Sequence, residues 1–211
     1  MKLFSRSFDN GAQIPGEFAF AVPDATNHVA LSANRNPHLA WSEVPEGTQS
    51  FVVVCHDPDV PSRGDDVNQE GRIVPTSLSR VDFYHWTLLD IPLGTTEIAA
   101  GSQSSSVTPR GKQGPNAPGG LRHGLNDYTS WFAGDPEMKG SYFGYDGPCP
   151  PWNDMLVHRY IFTVYALASP VLQVATPLNG ENVRQALAKA NVLGHASLFG
   201  LYSLNPRAVS D

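Results

Sequence analysis

Residues 158–168, HRYIFTVYALA, place the tightest constraint on what this chain can become. In a strand, alternate side chains point to opposite faces. On that period one face carries His158, Tyr160, Phe162, Val164 and Ala166, and the other carries Ile161, Thr163, Tyr165 and Leu167. Beyond Arg159 both faces are mostly apolar, so this strand belongs inside a sheet that is covered on both sides. Two more runs have the same character. Residues 50–57, SFVVVCHD, are continuous and β-branched; residues 81–92, VDFYHWTLLDIP, are aromatic and β-branched and stop at a proline. Residues 28–45 contain shorter strands interrupted by proline, which predicts an edge position. With 19 glycines, 18 prolines and only 16% charged residues, the chain is expected to be mainly β with many turns.

One segment reads as a helix, 179–194. Asn179 can cap it, Glu181 lies in its first turn, and Gly194 is placed to end it. Val183, Ala186, Leu187 and Ala190 form a core-facing stripe. Residues 195–206 read as a last strand, and a helix between two strands is compatible with a crossover unit. Residues 101–120, rich in Ser, Gly and Pro, have no hydrophobic period. A loop this long is functional or disordered. No second core follows it and no internal repeat is visible, so residues 1–211 are expected to form a single domain.

Charge and hydropathy exclude several roles. The net charge is −6 and no basic run occurs, which argues against nucleic acid as a partner. Uncharged apolar windows fall well short of 18 residues, so no transmembrane helix is expected. The first residues lack an apolar stretch of signal-peptide type, which predicts a cytoplasmic protein with Cys55 and Cys149 reduced.

Polar groups capable of chemistry gather at strand ends. His56, Asp57 and Asp59 follow the first run, His85 lies in the second, and His158 and Tyr160 open the third. Prolines 58 and 61 stiffen the first cluster, and prolines 148, 150 and 151 stiffen the loop around Cys149. Rigid loops at strand ends hold a site still. Each residue also has an ordinary reading. Asp-Pro-Asp makes turns, strand histidines and tyrosines are often core residues, and a cysteine between prolines is commonly an inert buried thiol. The spacings of nucleophile elbows, zinc helices and phosphate loops are absent. A Cys149–His158 pair, or a metal held by Asp57, Asp59, His85 and His158, can be drawn, but no spacing compels either. No metal or cofactor is assigned.

The combination is more informative than its parts. In order, DPDVPS, FYHWTLLDIP, GLNDY, GYDGPCPP and HRYIFTVYAL resemble the phosphatidylethanolamine-binding protein family, in particular its bacterial and archaeal Raf-kinase-inhibitor-like branch. The resemblance runs from about Phe51 to Tyr202. It implies a central antiparallel sheet packed on a smaller second sheet, with few helices. It also implies a small anion pocket for phosphate-type groups, lined by Asp57, Asp59, His85, His158 and Tyr160 and by the backbone at Cys149 and Pro150. On this resemblance the chain is a non-enzymatic binding protein for a phospholipid head group, a phosphorylated metabolite or a phosphorylated side chain. A regulatory protein partner is permitted, and a homodimer is expected. The alternative is a hydrolase or other enzyme using the same Asp/His pocket. Two stretches depart from the pattern, an insertion at 129–143 and the segment PPWNDMLVH before the histidine. Trp131, Phe132, Tyr142, Phe143 and Trp152 are candidates to wall the pocket mouth or to form an interface.

Overall fold

A computed structural model describes residues 1–210. The long apolar runs form the centre of a five-stranded antiparallel sheet. Its strands are β5 (Ser50–Pro61), β6 (Arg80–Pro92), β8 (Arg122–His123), β9 (His158–Leu167) and β10 (Val192–Tyr202), in the order β10-β9-β5-β6-β8. A smaller sheet combines β1 (Lys2–Phe4), β4 (Leu39–Ser42) and β7 (Glu97–Ile98), with β4 in the middle. The remaining strands, β2 (Ala21–Asp24) and β3 (His28–Leu31), pair as a hairpin. The helices are short: α1 (Tyr128–Trp131), α2 (Gly180–Leu187) and three single 3₁₀ turns.

The pattern of β9 is realised on both faces. His158, Tyr160, Phe162, Val164 and Ala166 are all buried, and all but His158 belong to the main core with Phe51, Val53, Trp86 and Leu88. That core is closed by Trp41 and Leu39 from the small sheet and by Phe20 and Tyr145 from loops. On the other face Val52, Val54, Leu89 and Leu167 pack beneath Val183 and Leu187 of α2. Sheet and helix together thus remove both apolar faces from water, as the strand composition requires.

Three expectations are corrected. Strand β4 is the middle of the small sheet, although it lies in a proline-interrupted stretch; its neighbours β1 and β7 come from distant parts of the chain. Helix α2 begins where Asn179 caps it, the side chain accepting from the Asn182 N–H at 3.0 Å, but it stops at Leu187 instead of reaching Gly194. From Val192 onward the backbone pairs with β9, Gly194 sitting at a bulge in that ladder. Because β9 and β10 are antiparallel, α2 is no crossover unit. The short helix is a cover over one sheet face. Leu187→Ala is therefore expected to cost about 2 kcal/mol, the low end for a buried leucine. Urea unfolding tests this, and a loss below about 0.5 kcal/mol would mean that α2 contributes no core.

The 101–120 loop is tied down by polar bonds. Asn36 Oδ1 accepts from the N–H groups of Gln103 and Ser104, Ser104 Oγ donates to the Asn34 carbonyl, and Lys112 reaches Asp146. Both cysteines are free. Among the described residues no helix is long and apolar enough to cross a membrane.

Candidate functional site

The ends of β5, β6 and β9 converge on one cavity of about 250 Å³. The irregular pairing of β5 with β6 helps to build it. Register shifts occur between Cys55 and His56 and again between Asp57 and Val60. Such bulges turn a strand end and re-aim its side chains. Asp57 from β5, His85 from β6, His158 and Tyr160 from β9, and Cys149 and Pro150 from the glycine-proline loop all line the cavity. Asp59 does not. Its carboxylate turns away to Arg159, accepting from the backbone N–H and Nε at 2.9 Å and from Nη2 at 2.6 Å. Burial would raise its pKa, but the bonds and charge of Arg159 hold it below the usual range.

Asp57 is held on both oxygens. Oδ1 accepts from the Asp59 N–H at 2.7 Å, and Oδ2 accepts from His158 Nδ1 at 2.7 Å. The other nitrogen of His158 donates to Asp154 Oδ2 at 3.1 Å, and Asp154 takes two bonds from Arg80, at 2.5 and 3.0 Å. Both ring nitrogens of His158 thus face carboxylates, which makes it an imidazolium. Burial alone would lower its pKa; the charge of Asp57 and the bonds to Asp154 and Asp57 carry it up to about 9. The buried row alternates in sign: Asp57, His158, Asp154, Arg80.

His85 behaves oppositely. Its Nδ1 lies 2.8 Å from the Asp146 carbonyl, an acceptor only, so the proton sits on Nδ1. Burial pushes its pKa down to about 4, so the ring is neutral near pH 7 and Nε2 presents a lone pair. Asp146 itself is fully buried and accepts from Lys112 Nζ at 2.6 Å, Asn34 Nδ2 at 2.7 Å and Asn126 Nδ2 at 2.8 Å. Burial outweighs these partners and leaves its carboxyl above the usual range. Burial likewise lifts the Cys149 thiol to about 12 and the Tyr160 hydroxyl well above its ordinary value, the latter helped by the charge of the neighbouring Asp57 and by a hydrogen bond donated to it. Prolines on both sides of Cys149 carry no N–H. The Cys149 N–H makes no hydrogen bond among the described residues.

Around this polar floor the wall is largely apolar, built by Val60, Pro61, Val67, Phe83, Tyr128 and Pro151, with Trp131 at the mouth. Among the inserted aromatics Trp131 alone reaches the cavity; it is 49% exposed. Phe132 and Tyr142 pack with Tyr128, Phe143 lies against Gly114, and Trp152 stacks on His28 at 3.8 Å. The loop at 62–68 closes one side and is pinned by buried Asn153. That side chain accepts from the Asn68 N–H at 2.9 Å and donates to the Asp66 and Arg72 carbonyls.

Asp146, Asn153, Asp154 and Arg80 were not among the expected site residues. Asp146 and Asp154 lie inside quoted motifs, and the only signal available was an acidic side chain in an otherwise apolar or proline-rich setting. Arg80 had none, since nothing local marks its partner 74 residues away.

A family model for phosphatidylethanolamine-binding protein matches residues 4–203. A UPF0098 protein of Aquifex aeolicus is 30% identical over 204 residues, covering 96% of this chain and 88% of the relative. The UPF0098 protein YbhB of Escherichia coli is 31% identical over 184 residues, covering 87% and 88%. The crystal structure of E. coli YbcL, described as a new member of the mammalian PEBP family, aligns with a TM-score of 0.67 at 26% identity over 96% of this chain and 97% of that one. A Chlamydia trachomatis homologue of the same family aligns with a TM-score of 0.58 at 25% identity, covering 96% of each chain. With the model matched across nearly its whole length and the two-sheet fold shared with these relatives, the chain belongs to the phosphatidylethanolamine-binding protein family.

Proposed function

We propose that this protein binds, without turning over, a ligand whose phosphate-type group sits on the floor of the cavity between Asp57, His85, Tyr160 and the Cys149 N–H. The observation that carries this reading is the convergence of those four residues, from four separate segments, on a cavity whose wall is otherwise largely apolar. Such a pocket fixes a small polar head and shelters what is attached to it. The competing hydrolase reading needs an activated nucleophile beside a base. Cys149 is the one thiol lining the cavity, and burial keeps it protonated at neutral pH. A thiol in that state is a poor nucleophile.

Calorimetric titration with phosphoethanolamine tests the reading. Binding is expected, and Tyr160→Phe should weaken it by about 0.5–3 kcal/mol, because one hydrogen bond is lost and no charge changes. Absence of binding to phosphoethanolamine and inorganic phosphate alike would sink the proposal. Release of phosphate during the titration would favour the hydrolase.

A further inference from the structure

Whatever the ligand carries, the groups on the cavity floor set its protonation state. Asp57, from β5, offers only acceptor sites, each carboxylate oxygen already receiving one bond from within the protein. His85, from β6, offers another acceptor, because Nδ1 is committed to the Asp146 carbonyl and Nε2 is left with its lone pair. His158, from β9, offers nothing, since both N–H groups are taken by Asp57 and Asp154. Tyr128, from α1, donates its hydroxyl to the Gly147 carbonyl at 2.8 Å. The Tyr160 hydroxyl donates towards Asp57, which leaves the Cys149 N–H as the floor donor without a partner among the described residues; Ser62, Arg63 and Asn68 bring further polar groups to the wall. His56 lies beside Tyr84, outside the cavity lining.

Formal charge leads to the same place. Asp57, Asp154 and Asp59 are matched by His158, Arg80 and Arg159, so the floor has no surplus cation to attract an anion. Arg63 is at the mouth, with a side chain 71% exposed and Asp65 at 3.6 Å. A fully ionised tetrahedral anion has oxygens that only accept, and it would meet a carboxylate and an imidazole lone pair with nothing to give either. An anion that keeps one O–H can donate to His85, or to Asp57 in place of the Tyr160 hydroxyl, while its other oxygens accept from the Cys149 N–H and from a Tyr160 hydroxyl so released.

We propose that the pocket selects tetrahedral anions that still carry a proton, so that it takes phosphate and phosphate monoesters as monoanions and rejects sulfate and sulfonates of the same shape. This rests on the phosphate-site reading above and adds to it the rule by which the site discriminates. The logic is that of any buried acceptor, which penalises a ligand unable to supply its hydrogen.

The test uses the unmodified full chain and matched pairs of ligands at pH 6, inorganic phosphate against sulfate and methylphosphonate against methanesulfonate. Affinity is read by calorimetry, and the His85 ring resonances report occupation of this cavity. The phosphorus ligands are expected to bind about 10–100-fold more tightly than their sulfur counterparts, the range of one unsatisfied buried acceptor. Phosphoethanolamine, measured on total ligand, should also lose affinity as pH rises from 6 to 8. The monoanion fraction of a monoester with a pKa near 6 falls about fiftyfold over that interval. His85, titrating near 4, and His158, titrating near 9, keep their charge states through that window, so neither ring produces the slope. Comparison of inorganic phosphate with phosphoethanolamine separates recognition of the bare anion from recognition of a head group. Equal affinity for sulfate and phosphate, or a flat pH profile, would overturn the selection rule while phosphate binding itself stood. Failure of every phosphorus ligand to bind would overturn both.

Discussion

Asp154→Ala is expected to destabilise the protein by about 3–5 kcal/mol, the range found when one partner is removed from a buried ion pair. The Asp154 side chain is 1% exposed and accepts from Arg80 twice, from His158 and from the Leu156 N–H. Without it, Arg80 and His158 face each other across a buried gap with no anion between them. The change should also alter how stability depends on pH. His158 titrates near 9 in the folded chain and near 6.5 when unfolded. A raised pKa means that the folded state holds the proton more tightly. The associated stability is therefore fully present below about pH 6.5 and is lost as pH rises through 9. A gap of that size corresponds to something on the order of 3 kcal/mol. Urea unfolding at pH 6, 7.5 and 9 should show the native chain weakening across the series and the Asp154→Ala variant weakening less. A native chain equally stable at pH 6 and pH 9 would mean that His158 is not held as a cation.

Asp146→Ala is expected to cost a similar 3–5 kcal/mol, for a related reason. Its carboxylate joins Asn34, Asn126 and Lys112, three residues from separate loops, and its own carbonyl holds the His85 ring. Truncation strands the Lys112 ammonium, whose side chain is 20% exposed, and frees the 101–120 loop from its ionic anchor. Limited proteolysis with trypsin should then cut at Arg110 and Lys112 faster than in the native chain. Lys112→Met should be milder. It strands an acid that burial already holds above the usual range, and such a group can take up a proton and become neutral. If Lys112→Met proved as damaging as Asp146→Ala, the loop would be held by the lysine's packing and not by the buried acid.

The strands were legible because their burial is encoded locally. A two-residue period with both faces apolar can be satisfied only in a covered sheet, and β5, β6 and β9 lie where that pattern placed them. The cap at Asn179 was legible for the same reason, being a contact over three residues. Its other end was not. The stripe of Val183, Ala186, Leu187 and Ala190 continues helical spacing past the point where β10 takes over, and ladder pairing with β9 overrides local propensity.

The site divides along the same line. Asp57, His85, His158 and Tyr160 stood out as polar groups in or beside apolar strands, the family resemblance joined Cys149 and Pro150 to them, and the structure brings all six to one cavity. The diversion of Asp59 to Arg159 was not readable, because it depends on a pairing across 100 residues. Nor were the opposite charge states of the two histidines. His85 and His158 are the same side chain in similar strands; one is neutral because burial disfavours its charge and no carboxylate bonds its ring, the other charged because two carboxylates flank it. Sequence alone determined which strands form and which residues stand at their ends, since those follow from short-range period and turn chemistry. Tertiary structure alone decided who pairs with whom inside, because in a buried site the free energy of a charge depends on neighbours that only the antiparallel register and the crossing loops bring within 3 Å.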